Sequence, residues 1–223
     1  MQKAPYFIGL DIGTATVRCV VGMLESKESE NSLSVIGVGS TPNLGMRKGA
    51  VVHTEDVAQA ISDAVSEAER MAGVRITSAT INVNGAHISS MPSQGVVAIS
   101  SPNREISDDD RARVEEAATV ISLPANREII QVFAKNYKID GQDNIKDPVG
   151  MQGVRLEVET LVVTAGIPLL RTLDAALEKA QINIDNHTVS SLAASEAILD
   201  RRQKESGTAV IDIGAGTTNI VII

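Results

Sequence analysis

The feature that most constrains the fold is a short turn motif that occurs near both ends of the chain. Residues 8–16 read Ile-Gly-Leu-Asp-Ile-Gly-Thr-Ala-Thr, and residues 209–217 read Ala-Val-Ile-Asp-Ile-Gly-Ala-Gly-Thr. In both copies an apolar strand ends in Asp-Ile-Gly, two small residues and a threonine follow, and a second apolar strand begins. The two copies lie too far apart for a solenoid repeat, so they predict two similar half-domains that face one cleft.

The turn motif suits the binding of nucleotide phosphates. Glycine lets the backbone approach an anion closely and point its N–H groups at the oxygens, and threonine hydroxyls add donors. The predicted phosphate-binding residues are Gly13, Thr14, Ala15, Thr16, Arg18, Gly214, Ala215, Gly216, Thr217, Thr218 and Asn219. Asp and Gly also favour ordinary tight turns, so a single copy is equally compatible with a plain hairpin.

The aspartate of each motif is a candidate for holding a cation. Asp11 and Asp212 each end an apolar strand immediately before the glycine turn. Mg²⁺ prefers oxygen ligands and keeps several waters, so we expect the two carboxylates to hold it through water. The sequence contains neither the Walker pattern G-x-x-x-x-G-K-[ST] nor G-x-G-x-x-G, so the twin turns carry the nucleotide prediction alone.

Composition excludes several classes of function. The 223 residues include 28 acidic and 20 basic side chains, a formal net charge of -8, whereas binding a nucleic-acid duplex requires clustered cations. Aromatic residues make up 2% of the chain and tryptophan is absent, so the stacking platforms for single strands are missing. Cys19 is the single cysteine; it excludes an intramolecular disulfide and fits a reducing compartment.

The hydrophobic pattern predicts a separate unit in the middle of the chain. Residues 85–166 read as strand, helix, strand and strand, and the segments on either side have their own apolar stripes. Before this unit, the polar stretch 24–32 predicts a loop, and Thr54 begins a helical stripe that ends at Gly73. After it, the alanine-rich stretch 190–202 predicts one helix.

With these motifs placed, the chain resembles the ATPase superfamily that includes actin, sugar kinases and heat-shock chaperones. Residues 11–18 match its first phosphate motif, residues 212–219 match its second, and residues 190–199 occupy the place of the helix that connects the two halves. Four further segments resemble the FtsA family of bacterial cell-division proteins: residues 39–49, 67–74, 104–106 and 140–151. The resemblance covers essentially the whole chain.

The resemblance implies an α/β fold, namely an actin-like (ribonuclease H-like) ATPase domain with an inserted α+β subdomain called 1C. It implies domain 1A over residues 1–84 and 167–203, domain 1C over residues 85–166, and the start of domain 2A over residues 204–223. The family continues beyond this point, so we expect a chain truncated in domain 2A. The missing part would carry the adenosine-binding residues, the FtsZ-tail site and the membrane anchor.

The resemblance also implies a function in cell division. Family members bind ATP with Mg²⁺, polymerise into protofilaments, and link FtsZ filaments to the cytoplasmic face of the inner membrane at the division site. The expected partners are other copies of the protein, the FtsZ C-terminal tail through domain 2B, and later division proteins such as FtsN through domain 1C. A C-terminal helix would bind the membrane, and no nucleic-acid partner is expected.

The sequence departs from the superfamily pattern in two motifs. Ser190 and Ser191 stand where many relatives carry a glutamate at the start of the connecting helix, so we expect at most a weak ATPase and identify no catalytic residue. Asn219 stands where an aspartate is common. Two other functions stay open: a PilM-like pilus-assembly adaptor, and a small-molecule kinase of the same superfamily, which would need a general base for the acceptor hydroxyl.

Overall fold

The computed structural model describes residues 6–27 and 30–223, which form two compact units. The discontinuous unit comprises Met1–His87 and Pro168–Ile223, and the inserted unit comprises Ile88–Ile167. The four-part domain division drawn from the sequence, with boundaries after residues 84, 166 and 203, stays a prediction, and its first five residues lie outside the described part of the chain.

The discontinuous unit carries most of the secondary structure. Its strands are β1 (Tyr6–Ile12), β2 (Thr16–Lys27), β3 (Glu30–Pro42), β4 (Met46–Arg47), β5 (Ala50–Val51), β6 (Ser78–Val83), β11 (Asn183–Val189), β12 (Ala209–Ile213) and β13 (Thr218–Ile222). Its helices are α1 (Thr54–Ala72), α4 (Ser190–Ile198), α5 (Arg201–Ser206) and all but the first residue of α3 (Ile167–Lys179).

A five-stranded sheet in the order β11-β6-β1-β2-β3 forms the centre of the discontinuous unit. The strands β1, β2 and β3 are antiparallel neighbours, whereas β6 and β11 run parallel to β1. The alternating apolar residues of β1 and β2 face the helices α1 and α3, which bury them in one core. The core residues from these four elements include Leu10, Ile12, Val17, Cys19, Val21, Ile61, Ala64, Leu173 and Leu177.

Helix α1 lies unusually close to strand β3. A Cβ atom on Gly39 would lie 1.9 Å from the carbonyl oxygen of Ala64, and one on Gly37 would lie 2.7 Å from that of Ala68. The helix ends as the sequence predicts, at Gly73 in a left-handed conformation with φ of 69°. Its first residue is Thr54, and the preceding residue, His53, occupies the N-cap position without a side-chain cap.

Cys19 is fully buried under this helical layer, with 0% of its surface exposed. Burial raises the pKa of the thiol to about 11, and the charge of Glu69 adds to the effect. We therefore expect no detectable reaction of Cys19 with an aromatic disulfide reagent in the native protein at pH 8, and stoichiometric reaction in denaturant. Native labelling as fast as that of a free thiol would contradict the burial of β2.

The inserted unit is a four-stranded antiparallel sheet in the order β7-β10-β8-β9 with one helix. Its elements are β7 (Ser89–Ala98), α2 (Asp108–Ala117), β8 (Arg127–Ile139), β9 (Gln142–Ile145) and β10 (Arg155–Gly166). The predicted order of strand, helix, strand and strand is confirmed, with the short β9 as an addition. Helix α2 begins with a capping box between Ser107 and Asp110, and Val114 packs into the core of the unit.

Two local predictions are wrong. The stretch 24–32 is not a loop throughout, because β2 extends to Lys27 and β3 begins at Glu30; backbone pairing continues although the side chains are polar. The stretch 190–202 is not one helix, because α4 ends before Leu199 and α5 begins after Asp200. The Asp200 side chain accepts a hydrogen bond from the Gln203 N–H at 2.8 Å and so starts a new helix.

Candidate phosphate-binding site

The two turn motifs have the same backbone geometry. In the first hairpin Asp11 pairs with Arg18, and in the second Asp212 pairs with Asn219. Each turn is closed by one hydrogen bond from its leading glycine to its last threonine: Gly13 N–H to Thr16 O at 3.0 Å, and Gly214 N–H to Thr217 O at 2.9 Å. The similarity read from the sequence is therefore a similarity of structure.

The fold brings the two turns into direct contact. A Cβ atom on Gly216 would lie 2.6 Å from Thr14 Oγ1 and 2.8 Å from Thr14 Cγ2. Beside this contact is a cavity of about 310 Å³ that both turns line. The predicted residues in its lining are Asp11, Gly13, Thr14, Ala15, Thr16, Arg18, Asp212, Gly214, Ala215 and Thr217.

Three predicted phosphate-binding residues lie outside this lining. Gly216 is the contact point with Thr14. Thr218 pairs with Ile213 in the second hairpin. Asn219 donates a hydrogen bond from Nδ2 to Asp212 Oδ2 at 3.3 Å, so it holds the second aspartate. The role of all thirteen residues toward a nucleotide stays a prediction.

The carboxylate of Asp11 lies close to one positive charge, that of Arg18, and one negative charge, that of Asp212. Arg18 Nη1 lies 3.5 Å from Asp11 Oδ2, and both side chains are about half exposed. Desolvation raises the pKa of the Asp11 carboxyl, the nearby charge of Asp212 raises it further, and Arg18 acts in the opposite direction. Arg18 is the one cation in the described cavity lining, so the two carboxylates outnumber it before any ligand binds.

Asn43 supports the first turn, although its sequence context gave no signal beyond a loop after proline. It is 4% exposed. Its N–H donates to Ala15 O at 2.9 Å, and its Nδ2 donates to Gly13 O at 2.8 Å. Its Oδ1 accepts from Gly45 N–H at 3.0 Å. One buried amide therefore fixes the turn to the loop that leads into β4.

The hairpin of β4 and β5 also reaches the site. Its tip is Lys48 and Gly49, with φ of 51° and 76°, and the Gly49 N–H donates to Thr14 Oγ1 at 3.1 Å. A Cβ atom on Gly49 would lie 3.0 Å from Thr217 Cγ2. Sequence reasoning missed this hairpin because nothing in a Met-Arg-Lys-Gly segment indicates which distant turn its tip will contact.

The donors and charges fit a phosphate group together with a divalent cation. A bare polyphosphate would be repelled by Asp11 and Asp212, whereas a hydrated Mg²⁺ would be attracted by both. Asn84 also lines this cavity. Its Oδ1 is buried and has no hydrogen-bond partner within the described structure. A water molecule in the hydration shell of a bound metal would supply the missing donor. Across residues 6–27 and 30–223 no three His, Cys, Asp or Glu side chains form a metal cluster.

Comparison with known proteins relates these features to a family. Residues 85–164 match the domain family described as the SHS2 domain inserted in FtsA. The chain is 40% identical over 222 residues to the cell division protein FtsA of Bacillus subtilis strain 168, covering 100% of this chain and 50% of that protein. It is 37% identical over 222 residues to FtsA of Pseudomonas aeruginosa, covering 100% of this chain and 52% of that protein. The chain thus spans about half the length of these relatives.

A solved structure supports the fold. The PilM-PilN type IV pilus biogenesis complex contains a chain that matches 97% of this one with a TM-score of 0.63 and 19% identity, over 57% of its own length. Identity at this level is informative about fold alone. Together with the sheet order and the inserted domain, it makes the fold an actin-like α/β fold, as the sequence predicts. No helix in the described ranges is long and apolar enough to span a membrane.

Proposed function

Because this chain is homologous along its whole length to part of the FtsA cell-division proteins, we propose that it is the phosphate-binding part of an actin-like cell-division protein. The observation that carries the proposal is the contact between the two turns. Two hairpins of the same geometry meet at Gly216 and Thr14 and line one cavity with their backbone and hydroxyl groups. Such convergent donors suit a bound anion.

The proposed ligand is ATP with Mg²⁺. The turn residues would bind the phosphates, and Asp11 and Asp212 would hold the hydrated cation whose positive charge offsets the repulsion between phosphate and carboxylate. Ser190 lines the cavity at the start of α4, and a hydroxyl there cannot act as the carboxylate base that orients an attacking water. The proposed protein is therefore a nucleotide-gated assembly protein with at most weak hydrolysis.

The proposed partners follow from the FtsA resemblance. The protein would polymerise, link FtsZ filaments to the cytoplasmic face of the inner membrane, and recruit later division proteins such as FtsN through its inserted domain. The 85–164 match supports the presence of that inserted domain. Binding of the FtsZ tail and of lipid would require domain 2B and a C-terminal helix, as in the family.

A pilus-assembly function has weaker support. The similarity to the PilM chain is limited to the fold, because the sequence identity is 19%. The sequence identity to the FtsA of Bacillus subtilis is 40% over 222 residues of this chain. A pull-down with peptides decides between the two. Capture of the FtsZ tail by the full-length protein supports the cell-division proposal, and capture of a pilus-assembly peptide instead would reverse it.

The nucleotide proposal predicts a selective defect for Asp212→Asn. This change keeps the size of the side chain and removes one of the two charges proposed to attract Mg²⁺. We expect the gain in ATP affinity on adding Mg²⁺ to fall by about tenfold. The free energy of unfolding should be nearly unchanged, because Asp212 is only partly buried and an asparagine of the same size replaces it. Isothermal titration of the full-length protein with ATP, with and without Mg²⁺, measures the gain.

The matched control is Asp109→Asn, an exposed aspartate in the first turn of α2. This control should bind Mg-ATP as the wild type does.

Co-sedimentation of the full-length wild type with anionic phospholipid vesicles, in Mg-ATP, in Mg-ADP and without nucleotide, tests assembly. A protein that binds no nucleotide and stays in the supernatant under all three conditions would refute the proposed function.

A further inference from the structure

Asn82 lies near the carboxyl end of β6, and its side chain connects three elements of the discontinuous unit. It is 9% exposed. Its Oδ1 accepts a hydrogen bond from the Ile12 N–H at 2.6 Å. Its Nδ2 donates to Asp11 Oδ1 at 2.6 Å and to Ser190 Oγ at 2.9 Å. The end of β1, the end of β6 and the start of α4 therefore share one buried amide.

These partners determine the orientation of the amide. Turning it over would place its carbonyl oxygen against the carboxylate of Asp11 and its NH₂ group against the N–H of Ile12. Both new contacts would be repulsive, and two buried donors would lose their acceptors. The observed orientation is thus the one that satisfies the Ile12 N–H, the Asp11 carboxylate and the Ser190 hydroxyl together.

The amide in turn restricts Asp11. Its Oδ1 is held by Asn82, and its Oδ2 faces the guanidinium of Arg18 at 3.5 Å. A half-exposed carboxylate would otherwise rotate and offer either oxygen to the cavity. With one oxygen fixed by a buried donor, the free lone pairs of Asp11 point in a constant direction.

We propose that Asn82 is a positioning residue that orients Asp11 toward a Mg²⁺-bound phosphate ligand. The inference rests on the proposed function and adds to it a residue that touches neither the phosphate nor the metal. Partners that hold a metal-binding carboxylate by hydrogen bonds change metal affinity by about 10- to 100-fold when they are replaced.

The bond to Ser190 extends the same network to the second hairpin. Helix α4 begins at Ser190 and packs against β12 and β13, the strands that flank the turn after Asp212. Asn82 therefore fixes Asp11 relative to the helix that supports the other aspartate. A loss of the amide would disturb the spacing between the two carboxylates as well as the direction of the first.

The test uses Asn82→Asp in the full-length protein. This substitution has nearly the same shape and keeps an acceptor for the Ile12 N–H, but an ionised oxygen replaces the donor that faces Asp11. We expect the Mg²⁺-dependent gain in ATP affinity to fall by about 10- to 100-fold, while protection of the Ile12 amide from hydrogen exchange changes little. Asn82→Ala adds no charge and should lose both the Mg²⁺ gain and the Ile12 protection.

Asn183→Asp is the matched control, because Asn183 is an exposed asparagine on the neighbouring strand β11. It should leave the Mg²⁺ gain at the wild-type value. A wild-type protein that shows a Mg²⁺ gain, together with an Asn82→Asp protein that shows the same gain, would overturn the positioning role alone. Equal losses with and without Mg²⁺, in proportion to lost stability, would overturn it as well. A wild type without any Mg²⁺-dependent binding would overturn the proposed function and this inference with it.

Discussion

Replacing Gly216 with alanine is expected to weaken Mg-ATP binding by about tenfold or more. The new methyl group would lie 2.6 Å from Thr14 Oγ1 and 3.0 Å from Thr14 Cβ, well inside contact distance. Thr14 cannot rotate away at no cost, because its hydroxyl accepts the hydrogen bond of the Gly49 N–H at 3.1 Å. The two turns must therefore separate, and their donors no longer converge on one anion; overpacking of this kind costs about 1–3 kcal/mol.

Titration calorimetry with Mg-ATP measures the effect in the full-length protein. Gly9→Ala is the matched control, since a Cβ atom at Gly9 has no neighbour within 4 Å and Gly9 lies outside the phosphate cavity lining. We expect this control to bind as the wild type does. Undiminished binding by the Gly216→Ala protein would mean that the turn contact is not needed for the phosphate site.

The second large effect is expected on stability, from Gly39→Ala. The added Cβ would lie 1.9 Å from the carbonyl oxygen of Ala64 and 2.9 Å from the backbone N of Ala68. Both are backbone atoms of α1, so no side-chain rotation relieves the clash, and either the helix or the edge strand must move. We expect a loss of about 3 kcal/mol in the free energy of unfolding, at the upper end of ordinary overpacking.

Chemical denaturation followed by circular dichroism checks this value. Gly9→Ala again serves as the control, because it makes the same change in another strand of the same sheet. Its free energy of unfolding should stay within a few tenths of a kcal/mol of the wild-type value or rise slightly. An unchanged midpoint for Gly39→Ala would show that α1 does not lie against β3 as closely as described.

The sequence alone determined the features that depend on local chemistry. The Asp-Ile-Gly turns predict their own hairpins, because glycine and threonine at fixed offsets close the same backbone hydrogen bond in both copies. Hydrophobic periodicity predicts α1 and its end at Gly73. These signals lie within a few residues of the structures they specify.

The tertiary structure alone decided which distant groups meet. Asn43, Gly49, Asn82 and Asn84 reach the site from three separate segments, and no local pattern distinguishes such asparagines from those of ordinary loops. The break between α4 and α5 has a local origin instead, since the Asp200 side chain accepts the Gln203 N–H and competes with the helical continuation that the alanine-rich composition favours. Local propensity thus set the turns, and the packing of sheet and helices set the residues that hold Asp11 in place, because hydrogen-bond partners more than 70 residues apart are chosen only by the fold.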